Sequence, residues 1–376
     1  MKGLVVASRG VEEAACAEIN ELTNCRGKPE DSCVAFDFRK FEDLCLLCYK
    51  SQSVDRVLYL IGSFEFSDLF WELEKFIGKL EFDEWLKDNK RFKVECIRKG
   101  SHDFKSVEVE TKVGELILEK YKGKKIKADM KDYEIIFLAY ITGNKCYFGI
   151  DFAGFELNKR NYKVFSHANS LRGTIAYSLI RESGFKNGHI ALDPFSRDGV
   201  IPIEAALYAN DFPVNYYNKE KFAFLKLDLG INYEKFFNSI DRKIKTSKSG
   251  IYSYDHLFKF VDYSKKNAKI AGVDKRINFS RTELEWLDIK FKKESVDRVI
   301  TSLPVSSGIK LDKVYNEFFY QCEYILKEDG AIAIISRLPD LTKEHASRHN
   351  FSAAKEMDVW SGEQVLKLIL FKKKSI

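Results

Sequence analysis

Ile190-Ala191-Leu192-Asp193-Pro194-Phe195-Ser196-Arg197-Asp198-Gly199-Val200-Ile201-Pro202-Ile203-Glu204-Ala205 runs from a short apolar stretch through a glycine-bearing loop into a helical pattern. A strand that hands over to a helix in this way brings backbone N–H groups within reach of a cofactor. One glycine is a weak signal alone, so the fold is read from the elements around it. From Ala168 onward helix and strand patterns alternate: helix 171–183, strand 190–193, helix 201–209, strand 251–254, helix 261–271, strands 277–280 and 296–301, helix 315–326 and strand 331–336. The alternation predicts an α/β domain with a doubly wound, mostly parallel sheet and ligands at the carboxyl ends of its strands.

Those ends carry the chemistry. The second strand stops at Tyr254-Asp255, and a carboxylate at that tip is the usual partner of a ribose hydroxyl pair; an exposed loop aspartate is the plainer alternative. The third element ends at Phe279-Ser280-Arg281-Thr282-Glu283. The fourth strand runs into Ser302-Leu303-Pro304-Val305-Ser306-Ser307-Gly308, which taken alone reads equally well as a turn.

The preceding half reads as two small α+β units. In residues 1–62, strand 4–7 and helix 11–22 are followed by a turn-rich Arg26–Asp31, then strand 34–38 and a helix. That helix carries Cys45 and Cys48, whose Leu46-Leu47 interior marks a buried helix face rather than a zinc or redox pair. In residues 63–155 the order is helix 69–77, strand 92–96, helix 107–121 and strands 134–142 and 145–150, the last two joined at Gly143-Asn144. Residues 156–167 are polar and basic and form a linker to the domain over 168–376.

A chain of 376 residues exceeds the roughly 250–300 that one core organises. With 45% hydrophobic residues and only 6 prolines it is globular, not disordered. The formal charge of +6 is modest, but residues 91–127 hold eleven Lys or Arg against six Asp or Glu, which makes that stretch the candidate phosphate-facing surface; a solvated lysine-rich face is the alternative. The apolar start Leu4–Ala7 is too short for a signal peptide and no stretch reaches the ~20 residues of a membrane span, so a cytoplasmic protein with reduced cysteines is expected.

Nearly end to end, the chain resembles THUMP-domain RNA methyltransferases, above all the archaeal and bacterial tRNA guanine-N2 methyltransferases. In the first half the resemblance lies in Phe92–Ser106, with its Arg98-Lys99-Gly100 turn and Phe104-Lys105-Ser106, then Glu108 and Gly114. It continues in Phe148–Gly154, Leu157, Lys159-Arg160 and Tyr162. In the second half, Leu171-Arg172-Gly173-Thr174-Ile175-Ala176 resembles the helix start that lies against S-adenosylmethionine, and Asp193–Ala205 resembles D-P-F-C-G-S-G-T-I-P-I-E-A. Ser302-Leu303-Pro304-Val305 falls on the N-P-P-Y or N-L-P-Y motif.

The resemblance implies a Rossmann-like methyltransferase domain preceded by a THUMP module with a ferredoxin-like N-terminal subdomain. S-adenosylmethionine is the implied cofactor, with Thr174, Asp193, Phe195, Ser196, Gly199, Asp255 as ribose acid and Glu283 at the adenine amino group as binding residues. Ser302, Leu303 and Pro304 are the implied catalytic positions, with no metal. For RNA, expected to be tRNA, the implied contacts are Arg98, Lys99, His102, Lys105 and Lys112; Arg98 and Ser106 holding their own turn together is the alternative. A monomer is expected, with a helper protein left open.

The chain departs from the family it resembles at Ser302, Val305 and Ser196-Arg197-Asp198. Val305 removes a ring worth ~1–3 kcal/mol of base stacking, for which Phe195 or Tyr315 would have to substitute. Arg197 stands where a glycine permits close approach. It would obstruct the methionine end of the cofactor, swing outward, or pair with the cofactor carboxylate. A methyltransferase acting on guanine N2 of tRNA is the expected function, a catalytically impaired RNA-binding paralogue the alternative. No pyrophosphatase loop or catalytic cysteine pair points to a THUMP protein of the thiolation class.

Overall fold

The chain begins β1 (Lys2–Ala7), α1 (Glu12–Thr23), β2 (Gly27–Glu30), β3 (Cys33–Asp37), α2 (Phe41–Lys50) and β4 (Val54–Glu65), the β-α-β-β-α-β order of a ferredoxin-like unit. It continues with α3 (Leu69–Lys79), β5 (Arg91–Lys99), α4 (Ser106–Lys120), β6 (Lys127–Ala128), β7 (Ile135–Thr142) and β8 (Lys145–Asp151). The computed structural model describes residues 1–245, 250–305 and 310–374. The two α+β pieces share one eight-stranded sheet in the order β2-β3-β1-β4-β8-β7-β5-β6. Strand β7, Ile-Ile-Phe-Leu-Ala-Tyr-Ile-Thr, lies inside this sheet and is buried at every position, which is why it reads as a continuous apolar run.

Three strands of this sheet, β2, β4 and the two-residue β6, differ from expectation. Gly27–Glu30 lies in the turn-rich stretch but forms β2, an edge strand where the missing N–H of Pro29 can be tolerated. Strand β4 escapes the apolar pattern because Asp55 and Arg56 interrupt it, although both are buried. Arg56 is held there by Asp151 and by Glu95 at 3.2 Å, and Asp151 also accepts from the N–H groups of Ala153 at 2.9 Å and Gly154 at 3.1 Å. On α2, Cys45 and Cys48 are buried, and burial pushes both thiols up.

The chain then forms α5 (Gly173–Glu182), β9 (Ala191–Asp193), α6 (Val200–Ala209), α7 (Tyr233–Asp241), β10 (Ile251–Asp255), α8 (Phe258–Ala271), β11 (Ile277–Arg281), α9 (Leu287–Lys290), β12 (Val296–Ser302), α10 (Leu311–Ile325), β13 (Leu326–Ser336), α11 (Pro339–Arg348), β14 (Phe351–Ser361) and β15 (Gln364–Lys373). The seven strands run β11-β10-β9-β12-β13-β15-β14, with β9 to β13 parallel and β15 antiparallel to both neighbours. The expected doubly wound α/β sheet is therefore present. Strand β9 lies between β10 and β12, where the strand order turns outward on both sides and a crevice opens at the carboxyl ends.

By their contacts the residues fall into two units: Met1–Ala7, Ala15–Leu157 and Asn215–Phe237 in the first, Ser8–Ala14, Asn158–Val214 and Asn238–Ile376 in the second. The membership of 215–237 in the first unit has no counterpart in the sequence reading. Its cause is aromatic: Phe222 and Phe224 stack at 4.8 Å between centroids, Tyr49 meets Phe237 at 4.8 Å, and the N–H groups of Ala223 and Phe224 donate to Ala153 and Phe152. The final helix α11 and the β14–β15 hairpin also lie outside the sequence reading. Strand β14 is an exposed edge whose Glu356 and Asp358 face Lys367, so it shows charge in place of an alternating apolar pattern.

Within the second unit one buried network fixes where α6 begins. The guanidinium of Arg160 donates to Glu204 at 2.7 and 3.3 Å, and the Tyr162 hydroxyl donates to the same carboxylate at 2.6 Å. The pair occupies the space over Gly173, where an added Cβ would lie 2.5 Å from Arg160 Nε and 2.6 Å from Glu204 Oε1. Gly173→Ala is expected to destabilise the protein by about 1–3 kcal/mol, seen as a lower urea midpoint. An unchanged midpoint would mean that the network shifts without cost.

Candidate active site

Two neighbouring cavities open at the carboxyl ends of β9, β10 and β12. The larger, about 540 Å³, is lined by residues that include His167, Asn169, Phe195, Arg197, Asp255, Leu257, Phe260, Glu283, Pro304 and Val305. The smaller, about 20 Å³, is bounded by residues that include Asn169, Asp193, Phe195, Ser196, Arg197, Asp198 and Ser302. The structure thus gathers Asp193, Phe195, Ser196, Asp255, Glu283, Ser302 and Pro304 around one crevice. Thr174, Gly199 and Leu303 line neither cavity. Thr174 and Leu303 are buried, while Gly199, at φ +81°, lets the start of α6 press on α8: a Cβ there would meet Ser264 Oγ at 2.1 Å.

Each buried acidic side chain at the strand ends is held by local donors. Asp193 accepts from Thr301 Oγ1 at 2.6 Å and from the N–H of Phe195 at 3.1 Å. Asp255 accepts from the N–H groups of Arg197 and Leu257, both at 3.0 Å, and each of its oxygens keeps a lone pair for a ligand. Burial raises both carboxyls, Asp193 to about 7. Desolvation also lowers Arg197 and His167 from their ordinary values. All four shifts have burial as the largest cause, which is the signature of a dry crevice.

At the end of β12, Ser302 is buried and its Oγ has no hydrogen-bond partner among the described residues. The next turn is pinned by the Tyr315 hydroxyl, which donates to the Pro304 carbonyl at 2.9 Å. Tyr315 is fully buried, its ring edge-on to His345, so it braces the loop and offers no face to a base. Phe195 is the ring that lines both cavities, backed by Phe318 at 5.9 Å. Ser306-Ser307-Gly308, the rest of that loop, lies outside the described residues. His167 and Asn169 escape the sequence reading: they lie at the end of the polar linker and just after it, and neither spacing nor composition marks them as cavity residues.

In the first unit the five candidate RNA contacts divide. Arg98 donates through Nε to Ser106 Oγ at 3.2 Å and lies over the Phe104 ring, and His102 Nε2 sits 2.8 Å from the Gly143 carbonyl, so both brace the turn. Lys112 pairs with Glu74. Lys99 and the exposed Lys105 form no ion pair among the described residues.

A doubly wound sheet with an acid at its second strand end and a proline-bearing turn after its fourth defines an α/β enzyme that takes a nucleoside-type cofactor in its crevice. Residues 160–367 match the family model described as RMKL-like, methyltransferase domain, and residues 70–151 match the THUMP domain. The chain belongs to the RMKL-like methyltransferase-domain family and carries a THUMP domain. It is similar to the tRNA (guanine(6)-N2)-methyltransferase of Methanocaldococcus jannaschii, 28% identical over 325 residues that cover 84% of each chain. The protein of that name from Archaeoglobus fulgidus is 23% identical over 374 residues, covering 97% of this chain and 88% of its own. A possible methylase from Clostridium difficile 630 shares the fold, with a TM-score of 0.83 at 22% identity over 100% of this chain and 98% of the other.

The pH dependence of Asp193 follows from its burial. A carboxyl with a raised folded-state pKa carries no penalty below its unfolded value, near 3.8, and the full penalty above about 7, so stability falls as pH rises through that window. Asp193→Asn keeps an acceptor for Thr301 and Phe195 but cannot ionise. Its thermal midpoint relative to the parent is expected to rise from about pH 4 to about pH 8. A difference independent of pH would show that Asp193 ionises in the fold without cost.

Proposed function

We propose that this protein transfers a methyl group from S-adenosylmethionine to the exocyclic N2 amine of a guanine in tRNA. The observation that carries the reading is the single crevice that brings Asp255, Phe195, Ser302 and Pro304 together in a chain of this family. The residues fit the cofactor: Asp255 has lone pairs for two ribose hydroxyls, Glu283 stands at the adenine end, and a cavity of about 540 Å³ suits a nucleoside with an amino-acid tail. When bound, the cofactor supplies an electrophilic methyl group on a sulfonium centre.

An exocyclic guanine amine is a poor nucleophile because its lone pair is delocalised into the ring, so the protein has to orient it and accept its hydrogens. Ser302 Oγ, buried and without a partner among the described residues, supplies one acceptor, shorter than an amide side chain. The Leu303 carbonyl supplies the second, on a turn that Tyr315 holds through Pro304. Phe195 takes the role of the ring against which the extruded base packs. Burial and the Arg197 charge lower His167 from its ordinary value, which disfavours a further positive charge beside the cofactor.

The THUMP domain, by this reading, docks the RNA in the cytoplasm, with Lys99 and Lys105 on phosphates. The domain division is 1–62, 63–155, a linker over 156–167 and the catalytic domain over 168–376, from which residues 215–237 depart to join the first unit, acting as a monomer. Calorimetry with S-adenosylmethionine is expected to give micromolar binding that Asp255→Ala weakens by about tenfold or more. Transfer of labelled methyl from it to tRNA, lost in Ser302→Ala, is the second readout; binding without transfer to any tRNA would sink the substrate assignment. Replacing Lys99 and Lys105 together by Gln is expected to reduce the salt slope of RNA binding by up to about 2. An unchanged slope would remove both from the interface.

A further inference from the structure

Arg197 sits in the left-handed region at φ +48°, where a side chain is disfavoured and glycine is not. Its backbone N–H is tied to Asp255 Oδ2 at 3.0 Å, so its place relative to the ribose acid is fixed. Three residues line both cavities, Asn169, Phe195 and Arg197, and of these Arg197 alone is charged. It therefore stands at the junction between the large cavity, where an adenosine would lie, and the cleft that leads to Ser302.

None of the carboxylates around it bonds to its guanidinium among the described residues. Asp193 takes Thr301 and Phe195, Asp198 takes the N–H of His167 at 3.3 Å, and Asp255 takes two backbone donors. Among the described residues the Arg197 guanidinium makes neither an ion pair nor a hydrogen bond. A second cation acts on the same region: Arg337, just after β13, has its Nη1 buried without a partner among the described residues, and its charge bears on Arg197. A half-buried guanidinium that lines the cavity with its five donors unpaired is a receptor for an anion, and a carboxylate fits its planar fork with two parallel bonds.

We propose that Arg197 binds the α-carboxylate of the methionyl group of S-adenosylmethionine, replacing backbone approach at this loop with a side-chain ion pair. The inference rests on the cofactor reading above. It makes Arg197 a ligand of the amino-acid end and the arginine a determinant of how tightly that end is held, not an obstruction to it.

The test compares two probes on the full chain by calorimetry: S-adenosylmethionine, and methylthioadenosine, which keeps the adenosine and sulfur but lacks the amino-acid part. Arg197→Gly suits the left-handed backbone and is expected to fold. It should weaken S-adenosylmethionine by about tenfold or more while changing methylthioadenosine by less than about twofold, and Arg197→Lys should restore part of the loss. If Arg197→Gly binds S-adenosylmethionine as well as or better than the parent, the arginine obstructs the site and this inference fails while the cofactor reading stands. If the parent binds neither probe, the cofactor reading fails and takes this inference with it.

Discussion

The buried contact between Arg160 and Glu204 is the constraint on which the second unit depends. Burying two charges is costly unless geometry and hydrogen bonds compensate, and here a two-pronged contact is completed by the Tyr162 hydroxyl. The network joins three stretches distant in sequence: the segment after Leu157, the start of α5 at Gly173, and the second turn of α6. Because α6 begins where the glycine-bearing loop ends, fixing Glu204 fixes that loop, and with it Asp193, Phe195 and Arg197. Breaking one partner would leave an uncompensated charge in a fully buried position, so the three segments are expected to change together.

The same physics recurs at the crevice with the opposite purpose. In the first unit Arg56 is satisfied inside the protein by Asp151 and Glu95, and the strand it sits on is immobilised. In the crevice Asp193, Asp255 and Arg197 are desolvated, yet among the described residues the Arg197 guanidinium has no bonded carboxylate. Stability alone would favour pairing them. A site that leaves such groups available maintains a dry, polar surface whose hydrogen bonds are completed by a ligand, and this is the electrostatic preorganisation that methyl transfer to a weak nucleophile requires.

The departures at Ser302, Val305 and Arg197 become less contradictory once placed in space. Ser302 retains a buried acceptor, Tyr315 holds the following turn through the Pro304 carbonyl, and Phe195 already lines the crevice where the missing ring would stack. In sequence Tyr315 and Phe195 look equivalent, since both are aromatic and close to a motif. Burial separates them, making one a brace and the other a wall.

The sequence by itself determined the class of both sheets, because periodicity reports which faces are buried and that depends on local pattern. It also placed Asp193, Asp255, Glu283, Ser302 and Pro304 at strand ends, since the ends of parallel strands are where loops must fall. Among what it lost were elements whose pattern is broken by charge: β4, where Arg56 is buried against a partner ninety-five residues away, and β14, where an exposed edge carries ions. Only the tertiary structure decided that residues 215–237 pack on the first unit, that Arg98 and His102 brace a turn, and that Arg197 faces the crevice. Each of these depends on which distant group meets a side chain, and no local pattern of residues encodes that.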